Sequence, residues 1–176
     1  LMASGLRKLN CVFLTGLDVA RAGGVATIKE YVQVSNVLAP PKSFSEESIF
    51  YFGPGSKIEV LVAVRGKPLA LRIGEGKASA LYVTSIQTQV FESLLKKPDL
   101  QSGLVFLPHH ESGIFESEKI FLKNLSARYL VLNQRDRIPE IRSELNSYLD
   151  AAILLISELG AVEFSFRGEK LTYQTF

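Results

Sequence analysis

Glu59, Glu75 and Lys77 are the residues whose types and spacing most invite a catalytic reading. Two carboxylates brought together can hold a divalent cation through hard oxygen ligands, and a neighbouring lysine can orient the water that attacks a phosphodiester. Glu59 lies in the strand-like run from Lys57 to Arg65, and Glu75-x-Lys77 follows after a turn at Arg65-Gly66. This set defines an alternative, enzymatic reading; the remaining elements point to a chain without a catalytic residue. Gly74-Glu75-Gly76-Lys77-Ala78-Ser79 has the look of a phosphate-binding loop, but the first glycine of G-x-x-x-x-G-K would have to stand at position 71, which is Leu71. A turn leading into a helix capped by Ser79 is expected there instead.

His109 and His110 are the only histidines, and adjacent residues of an extended segment point in opposite directions. A metal site wants three or four convergent ligands, which Glu111 and Glu116 would have to complete from one loop. The expectation is an exposed loop tip, with no metal and no cofactor. Cys11, the single cysteine, sits in the apolar run Cys11-Val12-Phe13-Leu14 and reads as a small buried hydrophobe, and one cysteine excludes an internal disulfide. No G-x-S-x-G elbow supports nucleophilic hydrolysis.

The elements that must position these groups come from the apolar pattern. With 176 residues and 47% hydrophobic content the chain can bury a substantial core, while 22% charged residues and a net charge of +2 give no field that would draw nucleic acid or an anionic membrane. No run of 18 apolar residues is present, so no spanning helix is expected, and the absence of a secretory signal pattern makes cytoplasm the expected compartment. Leu1 to Gly5 reads as an added segment around Met2.

Residues 6–43 read as an N-terminal hairpin, Leu9 to Leu17 and Val25 to Leu38 around Gly23-Gly24, with a helix from Val25 as the competing reading. Ala39-Pro40-Pro41 breaks the chain, and residues 44–160 form the expected α/β core. In it the spacing predicts a hairpin over Lys57 to Ile73, a helix from about Ser79 to Lys97, and three antiparallel strands at Gly103 to Leu107, Ile114 to Leu122 and Arg128 to Leu132. A second helix, capped by Asp136, would run through Pro139 to Leu159. Residues 161–176 close as a hairpin, Val162 to Phe166 and Leu171 to Tyr173. The fold class expected is therefore α/β, a mainly antiparallel sheet with two principal helices packed on it and a hairpin at each end.

From Ile58 to about Ser157 this order resembles the roadblock family of dynein-light-chain-like and GTPase-regulator domains, and Gly66-Lys67-Pro68-Leu69 matches the family's G-x-P-L turn. The resemblance implies a non-enzymatic scaffold or regulatory domain that dimerises and binds a protein partner such as a small GTPase or a motor complex. Glu59 followed by Glu75-x-Lys77 resembles the acid and E-x-K arrangement of restriction-endonuclease-like nucleases. That family carries its E-x-K within the second strand, where this chain has Arg72-Ile73-Gly74, so the resemblance implies a degenerate site. The last predicted helix is apolar around most of its circumference, so a second layer must cover it: either a partner chain, with Leu149, Ile153 and Leu154 as the homodimer interface, or the N-terminal hairpin.

Overall fold

Leu104-Val105-Phe106-Leu107 has no polar face for water to cover, so such a run must become an inner strand with layers on both sides. The structure, a computed structural model, describes residues 7–18, 22–40, 44–52, 57–75, 78–98, 100–108, 113–125, 127–133, 138–159, 162–167 and 170–175. Leu1 to Gly5, Lys77, His109, His110, Glu111 and Asp136 lie outside them.

The described chain opens with the short strands β1 (Lys8–Leu9) and β2 (Val12–Phe13), helix α1 (Val25–Tyr31), and strands β3 (Gln33–Val34) and β4 (Val37–Leu38). Strands β5 (Ile49–Tyr51), β6 (Lys57–Val64), β7 (Lys67–Glu75) and β8 (Ala78–Val83) follow. Three helix and strand alternations come next: α2 (Thr88–Leu95) and β9 (Leu104–Leu107), α3 (Glu116–Leu125) and β10 (Tyr129–Leu132), α4 (Ile138–Asn146) and β11 (Ala152–Leu155). The single turn α5 (Ile156–Leu159) and the hairpin β12 (Val162–Arg167) and β13 (Lys170–Thr175) complete it.

Strands β5 to β11 form one seven-stranded sheet in sequence order. Its first half, β5 to β8, is an antiparallel meander. From β8 onward every pairing is parallel, because each connection crosses over through a helix. One sheet face carries α2, α3 and α4: Val90, Phe91, Leu94, Phe121, Leu122, Ile141 and Leu145 are buried against Leu81, Val105, Leu130 and Leu155. The Phe91 and Phe121 rings meet at 5.6 Å. The opposite face is covered twice, by the β12–β13 hairpin over Ala80, Leu104, Val131 and Leu154, and by Phe13, Leu38 and Phe44 over Val60 and Leu71. Each fully buried side chain of this kind contributes roughly 1.5–3 kcal/mol.

The α/β class and the closing hairpin agree with the sequence reading; several finer expectations do not. The sheet is mixed, and three helices bury residues on it. At the N-terminus β1 pairs with β3 and β2 with β4, both parallel, around helix α1, so the expected hairpin is a strand, helix, strand unit. Ser79 caps no helix: it is a buried residue of β8, its hydroxyl donating to the Gln101 carbonyl at 3.1 Å. Only Thr88 to Leu95 of the predicted first helix is helical, because Leu81 and Val83 are better buried in a strand flanked on both sides. The segment predicted as a middle strand, Ile114 to Leu122, is largely helix α3, whose Phe121, Leu122 and Leu125 share one buried face. The long closing helix ends at Asn146, and Ala152 to Leu155 is the edge strand β11.

Gly74 shows why β7 runs on into a hairpin. Its φ is +89°, and a Cβ there would lie 2.9 Å from the Ala78 carbonyl oxygen. Only glycine accommodates both conditions without strain. Gly74→Ala is expected to lower stability by about 1–3 kcal/mol; a urea denaturation midpoint equal to that of the unchanged protein would contradict this account of the turn.

Candidate functional site

The parallel half of the sheet fixes where a ligand can sit. Leu132 is level with Leu107 on one side and Leu155 on the other, so β9, β10 and β11 end together. In open α/β sheets the crevice outside the carboxyl ends of the strands is the usual ligand site, because the loops there leave the sheet and can part around a substrate. Here that edge holds a cleft of about 260 Å³. Its walls are Tyr82, Val83 and Thr84 at the end of β8, Phe106, Leu107 and Pro108 at the end of β9, Val131 and Asn133 at the end of β10, Ile156 after β11, and Thr15 from the N-terminal segment.

The chemistry of these walls is neutral. Tyr82 and Phe106 stand side by side with ring centroids 5.7 Å apart, and Tyr82 is 40% exposed. Phe106 is held from behind by Phe164 of β12, edge-on at 5.7 Å. The Thr84 hydroxyl is occupied, donating to the Pro68 carbonyl at 3.0 Å, and its amide donates to the Leu69 carbonyl at 2.9 Å. Thr15, the Tyr82 hydroxyl and the exposed Asn133 side chain supply the remaining side-chain polar groups of the described lining.

The residues singled out from sequence fall elsewhere. Glu59 faces Arg72 across the β6–β7 pair: the Arg72 Nε and Nη2 both donate to Glu59 Oε2, at 3.1 and 2.6 Å. A carboxylate paired with a guanidinium is a poor cation ligand, and Lys77, the third member of the nuclease-like set, lies outside the described residues. Glu75 ends β7 at the hairpin, away from the parallel strand ends. Leu149 and Ile153 pack against the helical-face core, and Leu154, 7% exposed, is buried on the opposite face. Ala152–Leu155 of the predicted closing helix is instead the edge strand β11, with Ile153 and Leu155 packed on one sheet face and Leu154 on the other.

Cys11 is half-buried, its Sγ–H donating to the Val12 carbonyl at 3.6 Å. Burial pushes the thiol up in pKa, against a smaller opposing effect from a hydrogen bond with the Leu38 backbone. It is therefore neither a ready nucleophile nor a ready metal ligand.

No protein-family model and no curated protein matches the chain. Solved structures do. One is a candidate metal-dependent hydrolase from Parabacteroides distasonis, which superposes with a TM-score of 0.62 over 85% of this chain and 77% of its own, at 14% identity. Another is the metallo-beta-lactamase fold protein YhfI from Bacillus subtilis, with a TM-score of 0.55 over 94% of this chain and 78% of its own, at 11% identity. The likeness is one of fold, and it overturns the roadblock-like and restriction-endonuclease-like readings together with the scaffold function drawn from the first. The roadblock-like reading failed because it took the parallel, helix-linked half of the sheet for an antiparallel one.

The neighbours' names imply a metal, and the residues present can be compared with that. A catalytic zinc takes three protein ligands drawn from histidine, carboxylate and cysteine. Among the described residues no three such groups come together, and the described cleft walls carry hydroxyl, amide and aromatic groups instead. The described residues do not fit a metal centre. Sequence reasoning missed the cleft altogether; its one signal was the uninterrupted Leu104 to Leu107 run ending in Pro108, the mark of a central parallel strand.

Proposed function

We propose that this chain is a hydrolase domain of the metallo-beta-lactamase fold type that seats its substrate in the carboxyl-edge cleft. The observation that carries the reading is the position of the cleft: it lies where β9, β10 and β11 end together, in a fold shared with hydrolase-type proteins. The aromatic pair Tyr82 and Phe106 in its lining suits a flat apolar part of the substrate, while Thr15 and Asn133 offer hydrogen bonds. Protons are moved by the imidazoles of His109 and His110, which follow the cleft residue Pro108 in sequence. Imidazole changes charge between pH 5 and 8 without help from its surroundings. One imidazole takes a proton from water as the water oxygen bonds to the electrophilic carbon or phosphorus; the bond from that atom to the leaving group breaks, and the imidazolium returns its proton to the leaving group.

The reading is tested by screening chromogenic esters, phosphodiesters and β-lactams, each with and without an aromatic substituent. Activity is expected to favour the aromatic member of a pair. Tyr82→Ala, at a half-exposed position, is expected to raise KM for that substrate about tenfold, the loss of one aromatic contact, and to leave kcat unchanged. Turnover of none of the three substrate classes would count against a hydrolase.

A further inference from the structure

We infer that Phe164, which is not among the described walls of the cleft, is a positioning residue for ligand binding: it sets the plane of the Phe106 ring and, through that ring, the preference of the cleft for a flat aromatic group. The inference rests on the carboxyl-edge cleft being the ligand site, as proposed above. Phe106 stands in β9, between β8 and β10, with its side chain on the face that the β12–β13 hairpin covers. Its first side-chain torsion is confined to staggered values, but the second is broad and roughly two-fold, so the strand fixes where the ring is and not which way it faces. Neighbouring side chains must do that.

Tyr82 meets Phe106 with centroids 5.7 Å apart and planes at 53°, but at 40% exposure Tyr82 is itself lightly held. Phe164 meets Phe106 at 5.7 Å with planes at 82°, the edge-to-face arrangement that aromatic quadrupoles favour. Phe164 is well anchored. It faces Tyr173 across the β12–β13 pair at 5.9 Å and lies 6.1 Å from Tyr129 of β10, and those two tyrosine rings meet at 5.3 Å. Dependence therefore runs from the hairpin to Phe164 and from Phe164 into the cleft. An aromatic wall serves a flat ligand best when it is already oriented, because a ring free to turn loses that freedom on binding. Any apolar side chain at position 164 could cover the cluster of Ala80, Leu104 and Val131, but only a ring meets Phe106 edge to face. Leucine at this position separates covering from positioning.

The test uses the whole chain and reads binding apart from catalysis. The protein contains no tryptophan, so the fluorescence of added indole, excited beyond the tyrosine band, reports its binding without background. Phe164→Leu is expected to weaken indole binding about three- to tenfold, the worth of one aromatic contact, with an unchanged circular dichroism spectrum. Leu171→Val trims the same covering layer but removes no ring, and its Kd should stay within about twofold of the unchanged protein. Should Phe164→Leu not fold, Phe164→Met, which fills more of the volume without a ring, takes its place. An unchanged protein that does not bind indole, a ring-free variant that binds as tightly as the unchanged protein, or equal weakening in Leu171→Val would overturn the inference. Kinetics with the chromogenic substrates separate the two claims: Phe164→Leu is expected to raise KM for the aromatic member of a pair and to leave kcat and the non-aromatic member unchanged. A protein that binds indole in this pattern yet turns over none of the substrates sinks the hydrolase reading and supports this one. An active protein in which Phe164→Leu leaves the KM of the aromatic substrate unchanged does the reverse.

Discussion

Replacing both imidazoles, His109→Ala together with His110→Ala, is expected to lower the hydrolytic rate by about 10²- to 10⁴-fold, the usual contribution of a positioned acid or base. KM should hold, because the substrate contacts proposed above are those of Tyr82, Phe106, Thr15 and Asn133, which line the cleft and are untouched. The variant should fold as before, since every buried residue of the two sheet faces is untouched. The pH dependence gives a second readout. A general base works only when unprotonated, so the rate of the unchanged protein should fall as the solution becomes acidic, and the double variant should lose that limb. The single variants show which ring carries the proton. Equal rates for the double variant and the unchanged protein would remove the histidines from the mechanism and leave the cleft as a binding site alone.

Leu154→Glu is expected to unfold the protein and not to release a folded monomer. Leu154 is buried among Ala80, Leu104, Val131 and Leu171, with the β12–β13 hairpin lying over it. A carboxylate placed there has no partner in the apolar group, and the expected cost is about 4 kcal/mol or more, comparable with the whole stability of many domains. Leu154→Met keeps the volume and the apolar character and should cost less than about 1.5 kcal/mol. Circular dichroism and urea denaturation of the two variants decide the matter. A Leu154→Glu protein with the unchanged midpoint would mean that β11 is not covered by the hairpin and that its outer face is free for another chain.

The misread elements share one physical origin. Val83, Leu107 and Leu155 lie in strands buried on both faces, and a run apolar at every position carries neither the period of two nor the period of 3.6 by which strands and helices are told apart. Ala152 to Leu155 therefore looked like the last turns of an apolar helix begun at Pro139, although Ser147 to Asp150 already breaks it. Helix α3 was misread for a related reason: Phe121, Leu122 and Leu125 were set among β-branched and aromatic neighbours that suit a strand equally well.

What the sequence determined by itself was local and covalent: an α/β chain with a large core, the Arg65-Gly66 turn between β6 and β7, the closing hairpin, and a supply of two histidines and one cysteine. Turn chemistry and composition act within a few residues, so they can be read without the fold. Tertiary structure alone decided that the second half of the sheet is parallel and that its strands end level with one another. It alone brought Thr15, Tyr82, Phe106, Asn133 and Ile156 around one cleft. Those residues are spread over most of the chain, and no spacing between them is repeated or regular. Their meeting follows from crossover connections and from burial on two faces, which are properties of the packed layers and not of any one segment.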